Sequence, residues 1–276
     1  MIKTVSKIKN LKGEITIPAD KSVSHRAVML SSIAKGKNII KNFSSGVDCH
    51  STVKLFQQLG VEIEFLDKKT LSVKGGDLKS PKEPLNAGNS GTTMRLVSGI
   101  LAGQNFESIL YGDESLSKRP MRRVIEPLRL MGADISSMDG KAPLYIKGRA
   151  LKGIDYKSEL SSAQVKSCIL LAGLNKRTVG KTIYTEVYPS RNHTELMLEY
   201  LGADIEVNDK TVVVSPSELV SKDIEVVGDI SSAAFFIVAG LIVEGSDFVI
   251  KNVGTLRAVS ASPIRSQPRL LHFFCY

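Results

Sequence analysis

Apolar and polar positions along this chain follow a pattern that repeats. Residues 25–34, 92–102, 164–174 and 232–239 are apolar over most of a helical circumference. A helix of that kind belongs inside a core. Each stretch is followed by a short turn and a β-branched run, at 37–41, 106–111, 180–187 and 247–252, which predicts a strand. After the first three runs come half-apolar stretches at 53–59, 124–130 and 195–200. Their 3.6-residue period predicts helices that bury one face. Each closes on a glycine, at Gly60, Gly132 and Gly202, spaced 72 and then 70 residues apart. Glycine is a common helix stop. Two short strands complete the unit, such as 61–65 with 70–73 in the first copy. Asp209 and Lys210 supply the hairpin turn in the third.

Repeats of this size are whole supersecondary units and set the architecture. The pattern predicts an α+β fold of repeated βαβαββ units. A lone unit has nowhere to hide so apolar a helix. Three units over residues 20–227 are therefore expected to pack as one domain around their buried helices. A fourth unit starts at Gly228 and is incomplete. Its closing glycine is due near position 272, where His272 stands.

Composition narrows the function classes. The chain has 276 residues, is 42% hydrophobic and carries a net charge of +9. No apolar window is long enough to span a membrane, and the N-terminus lacks a signal-peptide core. Cys49, Cys168 and Cys275 are too few and too scattered for a disulfide framework or a zinc cluster. A cytoplasmic protein with no metal and no cofactor is expected. The positive charge fits nucleic acid or small polyanions. No basic block or aromatic strip supports nucleic acid, so small anionic substrates are the expected partners.

Three segments lie where the buried helices begin: Asp20 to Arg26, Gly88 to Arg95 and Ser161 to Ser167. Taken singly, Gly88 to Gly91 fits a plain turn and Lys21-Ser22 a surface cap. Their equivalent placement in three units points to convergence. Free backbone N–H groups, hydroxyls and cations at a helix N-terminus make an anion site. Three together form a cradle for phosphates and carboxylates. Cys168 and Met94 read as core, and His25 and His193 as groups that orient loops. Lys166 faces either the cleft or the surface.

Pro18 to Arg26 and Ala87 to Arg95 closely resemble signatures of the 5-enolpyruvylshikimate-3-phosphate synthase family. Ser162 to Ser167, Ser190 to Glu195 and Gly228 to Ala233 fit the same family. The resemblance covers residues 1 to about 254 and implies transfer of the enolpyruvyl group of phosphoenolpyruvate to the 5-hydroxyl of shikimate 3-phosphate, with release of phosphate. It implies that Lys21 touches both substrates and is the catalytic candidate. Ser22, Arg26, Ser162, Gln164 and Ser190 then hold shikimate 3-phosphate, while Gly91, Arg119 and Gln164 hold phosphoenolpyruvate. It further implies a monomer when complete, with residues 1–19 and 228–254 belonging to a second domain.

The family is built from six such units. Six copies of about 70 residues need roughly 420 residues, against 276 here. An acidic pair and further basic groups of the family's second domain have no counterpart in this sequence. Residues 255–276 contain no Asp or Glu, and Pro263 and Pro268 break any helix there. This tail is expected to be aberrant, after a frameshift or truncation near Gly254; a naturally irregular tail is the alternative. Two other functions compete: a shikimate 3-phosphate-binding fragment without turnover, and an enolpyruvyl transferase acting on a UDP-amino sugar. Lys21-Ser22, Ser24 to Arg26 and Ser190-Arg191 stand against the second of these.

Overall fold

The computed structural model describes residues 9–254 and, as backbone, 271–274. The chain enters through β1 (Lys12–Thr16) and runs through four related units. The first contains α1 (Lys21–Ile33), β2 (Gly36–Lys41), α2 (Val47–Gln58), β3 (Glu62–Phe65) and β4 (Leu71–Gly75). The second contains β5 (Leu85–Asn86), α3 (Gly91–Ala102), β6 (Glu107–Tyr111), α4 (Glu114–Ser117), α5 (Arg122–Leu130), β7 (Asp134–Met138) and β8 (Lys141–Lys147). The third contains β9 (Asp155–Ser158), α6 (Ala163–Leu174), β10 (Thr182–Glu186), α7 (His193–Tyr200), β11 (Ile205–Asn208) and β12 (Thr211–Val214). The short β13 (Ile224–Glu225) follows, and the fourth unit has α8 (Ile230–Ile242), β14 (Asp247–Lys251) and β15 (Leu271–Phe274). The fold is α+β.

Each complete unit makes a four-stranded sheet on one plan. A lead strand runs parallel to the strand after the inner helix, and an antiparallel hairpin follows. The orders are β13-β2-β4-β3, β5-β6-β8-β7 and β9-β10-β12-β11. The first sheet borrows its lead strand from far along the chain, with Ile224 opposite Ile40. The strand that precedes α1 in sequence, β1, instead leads the fourth sheet, with Gly13 opposite Phe248 in β14. β15 completes that sheet antiparallel to β14. The remaining tail positions, 255–270 and 275–276, including both prolines, lie outside the described residues.

The repeated glycines have one physical cause. Gly60, Gly132 and Gly202 each follow a second helix with φ of 84°, 86° and 82°. That left-handed turn favours a residue without Cβ. The four inner helices also start alike. Asp20, Ser90, Ser162 and Asp229 each accept a backbone N–H from their own first turn, which satisfies a donor that the helix cannot.

α1, α3 and α6 form the centre of the molecule and are buried on nearly every face. α3 and α6 cross so closely that a Cβ on Gly99 would lie 2.1 Å from the Cys168 carbonyl oxygen. Serines keep the packing tight: Ser98 Oγ turns back to the Met94 carbonyl at 2.7 Å. The core built on these helices reaches from Val23 to Val226. A second, small cluster holds Ile17, Ala233, Phe248, Ile250 and Val253. α8 leans on it through Ala233 and Gly240, the two buried residues of this apolar helix. Phe235 remains 79% exposed and Ile242 75%. Among the described residues no helix is long and apolar enough to cross a membrane.

Candidate active site

The inner helices bring their N-termini to one end of the core, where capping leaves backbone N–H groups and a partial positive charge. Lys21 is the first residue of α1; its side chain is exposed and its Nζ meets Asp48 Oδ2, in the first turn of α2, at 2.9 Å. Ser22 beside it is half-buried. Arg26, one turn deeper, is 4% exposed. It donates from Nε to Thr194 Oγ1 at 2.6 Å, from Nη2 to Ser167 Oγ at 2.9 Å and from Nη1 to the Ser22 carbonyl at 3.1 Å. One guanidinium thereby joins α1, α6 and α7. Burial lowers its pKa to about 10, against the raising effect of Glu195, so it stays charged at neutral pH.

The second segment is the most crowded. Gly91 is buried, and a Cβ there would lie 2.9 Å from Arg95 Nη1 and 3.4 Å from Arg119 Nη1. Arg119 is held by Asn89 Oδ1 at 2.7 Å and Ser115 Oγ at 3.4 Å. Arg95 donates to Gln164 Oε1 at 2.6 Å, and Gln164 returns its amide to Thr92 Oγ1 at 3.0 Å. These bonds tie the second segment to the third. Burial lowers the pKa of Arg95, and the charges of Arg123 and Arg119 add to it. The cluster concentrates positive charge, the setting that attracts anions, with Asp113 at its edge, bonded to Asn89 and held below the usual carboxylate range by backbone and side-chain hydrogen bonds and in part by Arg119. Arg95 stands in the motif read from the sequence, four residues after Gly91, but that reading gave it no role.

A hydroxyl chain links the first segment to the second. His25 Nδ1 lies 2.7 Å from Thr52 Oγ1, Thr52 is 2.7 Å from Thr93 Oγ1, and Thr93 donates to Ser90 Oγ at 2.7 Å. Burial drives the His25 pKa to about 3, so the ring is neutral in the folded protein. Through this chain His25 of α1 is tied to α2 and to the start of α3.

In the third segment Ser162 caps α6, accepting from the Val165 amide at 3.4 Å. Lys166 faces neither cleft nor surface, contrary to both expectations. It is 1% exposed and pairs with Glu186 Oε1 at 2.8 Å and Glu195 Oε1 at 2.6 Å. Ser190 lies beyond Glu186 and donates both its Oγ–H and its backbone N–H to that carboxylate. Burial opposes a charge on Glu186. The hydrogen bonds from Lys166 and Ser190 outweigh it and hold the carboxyl below its usual range.

The structure therefore brings Arg119 and Arg95 together at Gly91 and bonds Arg95 to Gln164, and it joins Ser22 and Arg26 to α6. Lys21 stands apart on Asp48. A cavity of about 390 Å³ opens at the opposite ends of the inner helices, among Ile33, Ile100, Leu174, Lys176 and Glu218. None of the candidate residues lines it.

Residues 5–261 match the family model for EPSP synthase (3-phosphoshikimate 1-carboxyvinyltransferase). The chain is 54% identical over 258 residues to the 3-phosphoshikimate 1-carboxyvinyltransferase of Endomicrobium trichonymphae, covering 91% of this chain and 59% of that protein. It is 52% identical over 258 residues to the protein of the same name from Bacillus cereus strain G9842, covering 91% and 60%. The solved EPSP synthase from Acinetobacter baumannii superposes with a TM-score of 0.83 at 46% identity, covering 89% of this chain and 56% of that one. The chain spans about three-fifths of the length of these relatives.

Proposed function

The chain belongs to the EPSP synthase family, and from that premise we propose that its site binds phosphoenolpyruvate and shikimate 3-phosphate for enolpyruvyl transfer in aromatic amino-acid biosynthesis. The observation that carries this reading is the set of three capped helix N-termini with their cations: the guanidiniums of Arg95 and Arg119 close on the buried Gly91, Arg95 bonds Gln164, and the buried Arg26 ties the first segment to the third. Both substrates are polyanions, and charge-assisted hydrogen bonds suit them. Gly91, through its backbone N–H, with Arg119 and Gln164, holds phosphoenolpyruvate. Ser22, Arg26, Ser162, Gln164 and Ser190 hold shikimate 3-phosphate.

Lys21 touches both and serves as the acid–base group. In the addition step the 5-hydroxyl gives its proton to a base, its oxygen bonds to C2 of phosphoenolpyruvate, and the C2=C3 double bond opens as the methylene carbon takes a proton. In the elimination step the methyl group loses a proton, the C2–O bond to phosphate breaks, and phosphate leaves. Anionic substrate competes with Asp48 for the Lys21 ammonium, so binding releases this side chain toward the reacting atoms.

We place the domain division at residues 20–227, with 1–19 and 228–254 forming part of a second domain and 255–276 an aberrant tail. The separate small cluster around Ala233 supports this division. A cytoplasmic location suits the two free, buried thiols of Cys49 and Cys168. A second reading, binding without turnover, is favoured by the apolar face that α8 leaves exposed. Phosphate release from phosphoenolpyruvate, measured with and without shikimate 3-phosphate, separates the two. Release that needs both substrates and is lost in Lys21→Ala establishes transfer. Calorimetric binding of shikimate 3-phosphate without release establishes the second reading, and no binding of either substrate rejects both.

A further inference from the structure

Ser190 is held by a single carboxylate. Glu186 Oε1 accepts its backbone N–H at 3.0 Å and Oε2 its hydroxyl at 2.6 Å. The loop between them has little packing of its own, since Val187 is 45% exposed and Tyr188 70%. Its shape depends on polar bonds. Lys166, from the first turns of α6, fixes that carboxylate at 2.8 Å. The same ammonium holds Glu195 of α7 at 2.6 Å. One buried cation thereby clamps both sides of the Ser190 loop, the end of β10 and the start of α7. A buried ion pair is a weak source of stability, because desolvation offsets the Coulomb gain. Its value here is geometric.

We propose that Lys166 and Glu186 are positioning residues for anion capture: Lys166 holds Glu186, and Glu186 holds Ser190 where its hydroxyl meets the phosphate of shikimate 3-phosphate. This rests on the assignment of Ser190 to shikimate 3-phosphate made above. Neither charged group touches the ligand. On binding, the Ser190 O–H turns from Glu186 Oε2 to a phosphate oxygen, while the backbone N–H stays on Oε1 and keeps the loop in place.

The test is a double-mutant cycle on the full chain, read by calorimetry with shikimate 3-phosphate. Ser190→Ala and Glu186→Ala are each expected to weaken binding about tenfold, and the double variant no further, because Glu186 acts through Ser190. Glu186→Gln keeps the side-chain volume but offers one acceptor oxygen to both Lys166 and Ser190. It reports the same coupling if Glu186→Ala does not fold, and thermal melts identify that case. A purely structural role lowers the melting temperature yet leaves the losses additive. Additive losses, or a Glu186 variant that binds as well as wild type while Ser190→Ala does not, overturn the proposal alone. Unchanged binding in Ser190→Ala, or no binding by the native chain, overturns the assignment of Ser190 and the proposal with it.

Discussion

At the scale of single residues, small changes at Gly91 and His25 separate recognition from stability. A methyl group on Gly91 meets the tips of two arginine side chains, at 2.9 Å from Arg95 and 3.4 Å from Arg119. Side-chain ends give way at little cost, so Gly91→Ala is expected to fold with its melting temperature within a few degrees of wild type. The displaced guanidiniums belong to the site proposed for the anion. Phosphoenolpyruvate affinity is therefore expected to fall by about tenfold, as calorimetry would measure. An unchanged affinity would place the anion elsewhere. His25 acts on stability instead. Burial lowers its pKa from 6.5 to about 3, so between those values the unfolded chain binds a proton that the folded chain refuses. The contribution is complete above about pH 6.5 and is lost as pH falls toward 3, with a limiting slope of about 1.4 kcal/mol per pH unit. His193 shifts in the same direction, chiefly by burial. Glu218, brought down to about 2 by hydrogen bonds from Lys176 and Lys35, acts only at lower pH. Urea midpoints between about pH 6.5 and 4.5 should fall less in His25→Gln than in wild type, with His193 supplying what slope remains.

At the scale of elements, the close approach of α3 and α6 bears on the site. A Cβ on Gly99 would overlap the Cys168 carbonyl at 2.1 Å, and backbone cannot turn aside. Gly99→Ala must push α3 from α6, at an expected cost of about 3 kcal/mol, measurable by urea unfolding. The same displacement would stretch the Arg95–Gln164–Thr92 bridge at the N-terminal ends of these helices. The two helices were legible in the sequence because they are apolar all round, and a helix of that kind has one place to go. The second helices were legible through their period and their left-handed glycines. α4 was not: a single turn, Glu114–Ser117, carries no period. The place of β13 in the first sheet was also hidden, since it has two residues and an edge pairing leaves no mark on so short a segment; the pairing of β1 with β14 agrees with the resemblance, which grouped residues 1–19 with 228–254. Lys166 was ambiguous because a lysine on an apolar helix satisfies itself either by reaching water or by meeting carboxylates from distant elements. Glu186, which decides the matter, lies 20 residues away. Arg95 was in plain view within a recognised motif, but its bond to Gln164 exists only once α3 and α6 have packed.

At the scale of the whole molecule, the chain holds two bodies of unequal completeness. Three inner helices bury one another in the large core, while α8, the most apolar of the four, rests one narrow edge, at Ala233, on Ile17, Phe248, Ile250 and Val253. Helices that are hydrophobic on all sides are stable where they are enclosed, and an exposed apolar face of this kind invites association. Phe235 and Ile242 stand seven residues apart, two turns along one face, and both are more than two-thirds exposed. The double substitution Phe235→Lys, Ile242→Lys should therefore suppress concentration-dependent light scattering. It should leave the unfolding of the three-unit core and the binding of shikimate 3-phosphate unchanged, because α8 contributes no residue to that core. Scattering that persists in the double variant would locate the association elsewhere, and a loss of shikimate 3-phosphate binding would mean that α8 supports the site from outside the core. If both expectations hold, anion recognition belongs to the three capped helices, and α8 governs the solution behaviour of the chain.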